Sequence, residues 1–293
     1  MRLISFLLNN EARLGVEAGG RALAATELLD SGPRTMAELL ERGAAGLADL
    51  RHAAHPSQIE DRGIPVGKLA LLAPVPRPGK VVAIARNYSD HAAEEGLAPP
   101  SEPAIFSKWS TAVIGSGAEI RWDPELTSKV DYEAELAVVI GRPARHVSVA
   151  EALDCVLGYT CLNDVSARDL QFGDAQWMRG KSLDTFCPMG PVLVTADELP
   201  EPGNLEISCR VNDAFVQAAR TADMYFGVAE LIAYCSRSFT LEPGDVIATG
   251  TPGGVGHNRK PPVYLRDGDE VVVSIDGIGE LVNTCRFEGP DAD

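Results

Sequence analysis

Short hydrophobic segments dominate the chain from residue 80 onward. KVVAIA, PAIFSK, ELAVVIG, GPVLVTADEL, LEISCRVN and GDVIATG are each bounded by Gly, Pro, Asn or Asp, which is typical of strands in antiparallel and mixed sheets. Helical spacing is rarer. SVAEALDCVLG, which has capping-box spacing, and FGVAELIAYCSRSF are predicted to form helices. The pattern therefore predicts a mainly β fold with short helices, of the α+β class.

The first 72 residues show a different pattern. Three short strand-like pieces, RLISFL, ARLGVEA and RALAATEL, precede an Ala- and Leu-rich helix across TMAELLERGAAGLADLRHAA. The stretch LAPVPRPGK follows, and its proline at every second position favours an extended connection. We predict a small N-terminal α+β domain over residues 1–72 and a larger catalytic domain over residues 73–293.

Acidic residues alternate with other residues at VDYEAELAVVIG, residues 130–141. Asp131, Glu133 and Glu135 are two residues apart, so a strand would project all three from one face. Residues 136–140 are entirely apolar and predict a strand buried on both faces. The acidic row is either the solvated face of an ordinary strand or a set of carboxylates entering the interior. In the second case a cation or hydrogen-bond donors must offset their repulsion.

Composition excludes several classes of partner. The formal net charge of -16 argues against binding to nucleic acid or an anionic membrane, because both need a basic surface. The six cysteines show no CxxC pair and lie in apolar segments, as expected of reduced core residues. The apolar run near the N-terminus is too short for a signal peptide, and no stretch is long enough to span a membrane. We therefore expect a cytoplasmic protein that binds a small molecule.

Two stretches could carry acid–base or ligand chemistry. IARNYSDHAAEEG, residues 84–96, places His91 and Glu94 one helical turn apart, so the carboxylate can orient the imidazole as a general base requires. Such a pair is also common on solvent-exposed helix faces that have no catalytic role. CLNDVSARDLQ, residues 161–171, places Asp164 at the end of an apolar strand ahead of Gln171. That aspartate either caps the next helix or serves a site.

Two further stretches are rich in polar residues and glycine. QWMRGKSLDTFCPMGP, residues 176–191, has little apolar periodicity and is a poor core element, which favours a role for Lys181. GDVIATGTPGGVG, residues 244–256, is a strand followed by a glycine-rich loop. It lacks the Gly-Lys-Ser/Thr of a phosphate-binding loop, but its amides and the hydroxyls of Thr249 and Thr251 could bind a carboxylate.

The order of these motifs resembles that of the fumarylacetoacetate hydrolase family. NYxxHxxE, ExE, NDVSARDxQ, WxxGKSxDTFxPxGP and GDVIxTGTPxGVG follow one another across roughly residues 80–287. The resemblance implies a mixed β-sandwich or roll catalytic domain and a homodimer. Longer members place an extra acidic ligand near the position of Asn87. Because it lacks that acid, this chain resembles the branch of acylpyruvases and 2-hydroxyhepta-2,4-diene-1,7-dioate isomerases.

The resemblance also implies roles for particular residues. Glu133, Glu135 and Asp164 would bind one divalent cation, and their oxygen ligands suit Mg²⁺ or Mn²⁺, with Ca²⁺ as a third option. Asp131 lies outside this ligand set and is expected to form a salt bridge or support the site. The expected catalytic residues are His91, Glu94 and Lys181. The expected substrate-binding residues are Arg86, Tyr88, Gln171 and Thr251.

We expect hydrolysis of a C–C bond in an acylpyruvate- or fumarylpyruvate-like 2,4-dioxo acid, as in aromatic catabolism, with release of pyruvate or a related 2-oxo acid. The same site could instead isomerise 2-hydroxy-dienedioates or decarboxylate an oxaloacetate-type acid. A non-catalytic acid-binding protein is the third hypothesis. The Pro-rich composition of residues 92–110 suggests a lid over the site.

Overall fold

The structure is a computed structural model that describes residues 1–94 and 96–289. Strands form most of its regular structure, and the helices between them are short, as predicted. The strands are β1 (Arg2–Leu8), β2 (Glu11–Ala18), β3 (Arg21–Ala24), β4 (Ile64–Pro65), β5 (Ala70–Leu72), β6 (Val81–Ala85), β7 (Ala104–Lys108), β8 (Val113–Ile114), β9 (Glu119–Trp122), β10 (Val130–Asp131), β11 (Ala134–Ile140), β12 (Val156–Asn163), β13 (Ser166–Ala167), β14 (Cys187–Thr195), β15 (Glu206–Val211), β16 (Ala214–Arg220), β17 (Val246–Ala248), β18 (Glu270–Ile275) and β19 (Gly279–Phe287). The α-helices are α1 (Ala25–Leu28), α2 (Met36–Ala53), α3 (Pro56–Arg62), α4 (Ser89–Glu94), α5 (Val149–Ala152), α6 (Arg168–Gly173), α7 (Met178–Lys181) and α8 (Val228–Ser238).

Two large sheets and a two-stranded ribbon organise these strands. The larger sheet has the order β4-β3-β2-β1-β14-β12-β11-β17-β6-β7, with β5 added beside β1 and β8 beside β14. The smaller sheet has the order β16-β15-β18-β19-β9, and β10 pairs with β13. The N-terminal strands therefore belong to the same sheet as the central strands, because β1 is antiparallel to β14. The domain division at residue 72 stays a prediction.

Strand β11 lies at the centre of the larger sheet and contributes to two hydrophobic cores. Leu136, Val138 and Ile140 pack in the core that also contains residues of the smaller sheet. Ala137 and Val139 point the other way, into the core that contains residues of α2. Every residue of β11 is buried, so the all-apolar run is explained by burial on both faces.

One predicted helix is much shorter than its sequence pattern suggests. The capping box of Ser148 and Glu151 is present, but α5 ends at Ala152. A single 3₁₀ turn follows, and Val156 begins β12. Residues 156–158 pair in the central sheet with β11 and β14, so tertiary pairing overrides the local helical pattern. Within the described residues, no helix combines the length and apolar character needed to cross a bilayer.

Candidate metal centre and catalytic cleft

The candidate residues lie where four adjacent strands begin or end. Strand β11 is antiparallel to β12 and β17, and β17 is parallel to β6. The start of β11 therefore meets the ends of the other three strands at one edge of the sheet. Glu133 directly precedes β11, Glu135 is its second residue, and Asp164 follows β12. The His91 helix follows β6, and the glycine-rich loop follows β17.

Three buried carboxylates form the floor of this site. One ligand oxygen from each of Glu133, Glu135 and Asp164 lies within 4.8 Å of the others. The backbone fixes their approach. The Glu133 amide donates to the Asn163 side chain at 3.0 Å, and the Asp164 amide donates to the Glu133 carbonyl at 2.9 Å. The structure therefore brings together all three predicted metal ligands.

The glycine-rich loop holds the third carboxylate through its backbone. The Gly250 amide donates to Glu135 Oε2 at 2.8 Å. Gly250 has a φ of +98°, and an added Cβ would lie 2.8 Å from the Cβ of Asn87. Only glycine satisfies both the backbone angle and this close approach. The loop thus supplies a backbone donor, as the sequence suggested, although its acceptor is a protein carboxylate.

Three buried cations surround the carboxylates. Lys181 Nζ lies 2.7 Å from Glu133 Oε2 and 2.9 Å from Asp164 Oδ2. Lys108 donates to Asp164 and also to the carbonyls of Val165 and Lys181. The third cation, Arg168, lies 2.6 Å from Glu133. Sequence reasoning selected Lys181 but missed Lys108 and Arg168, because neither position differs from an ordinary strand or helix residue in pattern.

Charge is distributed unevenly among the carboxylates. Burial opposes ionisation of Glu133, but Lys181 and Arg168 hold its pKa down to about 2. Burial, Asp164 and Glu133 together raise the pKa of Glu135 well above its usual range. Among the described residues, Glu135 forms no salt bridge. Glu135 is therefore the carboxylate of the three without an ion-pair partner in the described part of the chain.

This donor set fits a hard divalent cation. All three candidate ligands are carboxylate oxygens, with no thiolate or imidazole among them, which matches the preference of Mg²⁺, Mn²⁺ and Ca²⁺. A bound cation would also supply the positive charge that Glu135 lacks. The alternation of acids at residues 131–135 therefore has a physical explanation. Glu133 and Glu135 fit a metal site, and Asp131 pairs with Arg168 at 2.8 Å.

His91 and Glu94 form the pair that their spacing predicts. Both lie on α4, and Nδ1 of His91 is 3.9 Å from Oε2 of Glu94. Glu94 also accepts a hydrogen bond of 2.8 Å from the Gly254 amide. The His91 interaction lowers the pKa of Glu94 despite the opposing effect of partial burial. Glu94 therefore stays ionised and ties the His91 helix to the glycine-rich loop.

A cleft opens above the carboxylates, with about 400 Å³ of space including the part open to solvent. Its wall contains three of the predicted substrate-binding residues, Arg86, Gln171 and Thr251, together with His91 and Lys181. Aromatic side chains complete the wall, and sequence reasoning did not assign them to the site: Phe106, Phe172 and Trp177.

Gln217 is a further residue that the sequence gave no reason to select. Its amide nitrogen donates to the Thr251 hydroxyl at 2.8 Å, and its oxygen accepts from the Ala134 amide at 2.9 Å. The Thr251 oxygen is thus an acceptor inside the protein, which leaves its proton available for a ligand in the cleft. Gln217 lies on β16 of the other sheet, so no motif connects it with Thr251.

The structure does not place Tyr88 on the cleft wall. The ring is fully buried in the core, and among the described residues nothing hydrogen-bonds to its hydroxyl. Burial raises its pKa, with a further contribution from Glu135. The neighbouring Asn87 uses its amide on the backbone of Thr249 and Phe226, so it is a structural clamp. The predicted lid includes Glu95, which lies outside the described residues, and the lid stays a prediction.

The sequence and the fold both match those of known proteins. The family described as "Fumarylacetoacetate (FAA) hydrolase C-terminal" matches residues 80–286, more than half of the chain. The chain belongs to the fumarylacetoacetate hydrolase family. A solved structure of a fumarylacetoacetate hydrolase from the psychrophile Exiguobacterium antarcticum is 39% identical, with a TM-score of 0.85, covering 98% of this chain and 100% of that one. The family and fold predicted from the motifs are therefore confirmed.

Two curated relatives of this chain are named for the same reaction. The mitochondrial oxaloacetate tautomerase FAHD2B of Bos taurus is 44% identical over 289 residues, which are 97% of this chain and 91% of the relative. The oxaloacetate tautomerase YisK of Bacillus subtilis is 47% identical over 221 residues, 74% of this chain and 73% of the relative. These relatives are enzymes, and so we conclude that the chain belongs to a family of enzymes.

One expectation is corrected by these relatives. The bovine protein that matches over 97% of this chain is named mitochondrial, so the predicted cytoplasmic location is wrong as an inference from this sequence. It was based on reduced cysteines and on a short apolar N-terminal run. Neither property distinguishes the cytoplasm from the interior of an organelle.

Proposed function

We propose that the protein is an oxaloacetate tautomerase, which interconverts the enol and keto forms of this four-carbon 2-oxo diacid. The similarity to FAHD2B over 97% of the chain carries the proposal, since that relative is named for this reaction. The cleft supports it, because its buried carboxylates, cationic side chains and His91 suit proton transfer on a small anionic acid.

The metal ligands and the polar residues of the cleft wall would have separate roles in the reaction. Glu133, Glu135 and Asp164 would hold a divalent cation, which when bound supplies Lewis-acid stabilisation of negative charge on the substrate oxygen. Arg86 and Thr251 line the same cleft and would bind carboxylate oxygens of the acid.

Tautomerisation moves one proton from carbon and places one on oxygen. His91, oriented by Glu94, would take the proton from C3 of the keto form, and the Lys181 ammonium would donate a proton to the C2 oxygen. Ketonisation reverses both transfers. Solvent exchange resets the two side chains, so no water is consumed and no C–C bond breaks.

Hydrolysis of a 2,4-dioxo acid is the second candidate. The similarity to the Exiguobacterium fumarylacetoacetate hydrolase favours it, and His91 could equally take a proton from water. The comparisons favour tautomerisation, because the two relatives named for it are 44% and 47% identical to this chain, whereas the hydrolase is 39% identical. Decarboxylation of oxaloacetate stays a third possibility at the same site.

Product analysis distinguishes these reactions. Protein loaded with Mg²⁺ or Mn²⁺ is mixed with freshly dissolved enol-oxaloacetate, and the decay of the enol absorbance is compared with the buffer rate. Faster decay without release of pyruvate or CO₂ supports a tautomerase, whereas equimolar pyruvate and CO₂ indicate a decarboxylase. Turnover of acylpyruvates with no effect on oxaloacetate would contradict the proposal and favour the hydrolase.

A further inference from the structure

Asp131 is the most heavily hydrogen-bonded carboxylate beside the cleft, yet it is not one of the three candidate ligands. It is fully buried, and four donors surround it. Its Oδ1 accepts from the amides of Tyr132 at 2.9 Å and Gly256 at 2.8 Å. Its Oδ2 accepts from the His257 amide at 2.9 Å and from Arg168 Nε at 2.8 Å. Asp131 therefore joins β10, the glycine-rich loop and α6.

Arg168 connects Asp131 with a residue of the cleft wall. Its Nε and Nη2 both lie 2.8 Å from Asp131 Oδ2, and Nη2 also lies 2.6 Å from Glu133. The remaining Nη1 donates to Gln171 Oε1 at 3.0 Å. A guanidinium held at two carboxylates has a fixed plane, so the direction of Nη1 is set by Asp131 and Glu133.

The orientation of the Gln171 amide follows from this arrangement. Arginine has only donors, so Gln171 must present its oxygen to Arg168 and its NH₂ group to the other side. That other side is the cleft, whose wall includes Gln171. Among the described residues, no hydrogen bond is made by Gln171 Nε2.

We propose that Asp131 is a positioning residue that acts through Arg168 to hold the Gln171 amide with its N–H groups facing the cleft, where they bind an oxygen of the acid. The inference rests on the proposed function only in assuming that the cleft binds a 2-oxo acid. It assigns Asp131 and Arg168 a part in substrate recognition. It also explains why an acid two residues before the first ligand is buried with an arginine.

A purely structural role is the alternative, because Asp131 also anchors the backbone at Gly256 and His257. A double-mutant cycle separates the two, since residues that act through one another give non-additive effects. Asp131→Asn, Gln171→Met and the double variant are prepared as full chains loaded with Mn²⁺, and oxalate binding is measured by calorimetry. Asp169→Asn is the matched control, because Asp169 lies on α6 between Arg168 and Gln171 but accepts its hydrogen bonds from Thr127 and Ser128.

Each single variant should raise the oxalate Kd about 10-fold, as for loss of one hydrogen bond to a charged group. The double variant should be no more than about twofold weaker than either single variant, and the control should bind like wild type. With oxaloacetate as substrate, Asp131→Asn should raise KM while kcat stays within about threefold. Effects that multiply to about 100-fold in the double variant would overturn the inference, as would wild-type binding by Asp131→Asn.

A metal titration and a replacement variant complete the test. The Mn²⁺ Kd is determined for every variant without oxalate. A loss of metal affinity equal to the loss of oxalate affinity would overturn the inference in favour of an effect on Glu133. If Asp131→Asn does not fold, Arg168→Lys replaces it in the cycle, since lysine keeps the charge and loses the Nη1 donor. Failure of wild type to bind oxalate also overturns the inference. Failure to convert oxaloacetate with the oxalate cycle intact overturns only the proposed function.

Discussion

Glu135 differs from Glu133 and Asp164 in forming no salt bridge among the described residues. Within the described part of the chain, its hydrogen-bond donor is the Gly250 amide, and burial with two other carboxylates raises its pKa. Lys181 and Arg168 instead form salt bridges with Glu133. Glu135 is therefore the ligand whose charge depends most on a bound cation.

Glu135→Gln should weaken Mn²⁺ binding at least about 10-fold, because ligand charge is a main determinant of affinity for hard cations. The metal-free variant should be as stable as wild type or more stable, since removal of the charge relieves repulsion from Asp164 and Glu133. Calorimetric titration and urea unfolding of the metal-free proteins measure the two effects. A metal-free variant that is clearly less stable, with unchanged Mn²⁺ affinity, would contradict the assignment.

His91→Asn should lower kcat for oxaloacetate by about 10²- to 10⁴-fold, which is the usual contribution of a positioned general base. Mn²⁺ affinity should not change, because His91 belongs to the cleft wall and not to the ligand set. Steady-state kinetics and metal titration of the same preparation provide the measurement. His52→Asn, at an exposed position near the end of α2, is the control and should retain full activity.

The sequence predicted residues that belong to motifs and missed residues that act through partners distant in the chain. The three ligands, the His91–Glu94 pair and Lys181 come from recognisable motifs, and the structure places them around one cleft. Lys108 and Gln217 were not predicted, because their contacts with Asp164 and Thr251 depend on tertiary structure. Tyr88 was predicted at the cleft, but this tyrosine, between β6 and α4, packs into the core.

The central element of the molecule is β11, which runs from the acidic cluster directly into the core. Leu136 follows Glu135 and is fully buried, and its carbonyl accepts hydrogen bonds from the amide and the hydroxyl of Thr249. One strand therefore supports a ligand at its start and two hydrophobic cores along its length. Stability and site geometry are coupled at this position.

Leu136→Ala should lower the free energy of unfolding by about 2–5 kcal/mol, the usual range for a leucine removed from a packed core. Its carbonyl remains, so the loop at Thr249 stays attached and the loss comes from the cavity. Urea unfolding with far-UV circular dichroism measures the change. Val263→Ala is the control at an exposed site and should stay within about 0.5 kcal/mol of wild type.

Elements were predicted well where the local pattern and the tertiary environment agree. The apolar run of β11, the helix α8 and the strand ends that hold the site all follow from spacing. The helix predicted across residues 148–158 was too long, because residues 156–158 pair with both β11 and β14. Pairing between distant strands leaves no trace in the local pattern, so the order of strands in the sheet could not be predicted from spacing.

For the whole molecule, the site concentrates negative charge in a chain that is already acidic, with a formal net charge of -16. Four buried carboxylates, Asp131 and the three ligands, face the three cations Lys108, Arg168 and Lys181, which leaves one negative charge in excess. A divalent cation at the ligands would reverse that excess. Metal binding should therefore stabilise the folded chain, because the unfolded chain does not hold the ligands together.

Chelation followed by addition of Mn²⁺ or Mg²⁺ should raise the thermal midpoint by about 5 °C at a concentration 100 times the Kd. Differential scanning calorimetry of dialysed protein measures the shift, and Na⁺ at equal ionic strength is the control for screening. Asp164→Asn should abolish most of the increase. An equal increase in wild type and Asp164→Asn would show that the metal acts elsewhere.

The pairing of β1 with β14 has a consequence for how this enzyme could be shortened or rearranged. A piece beginning at residue 73 would leave one side of β14 without the neighbour that now covers it beside Leu193 and Val194. Unpaired strand edges expose backbone N–H and C=O groups that can hydrogen-bond to another chain. Any ancestor or engineered variant that lacked the first segment would therefore need another strand, from its own chain or a second molecule, to seal that border.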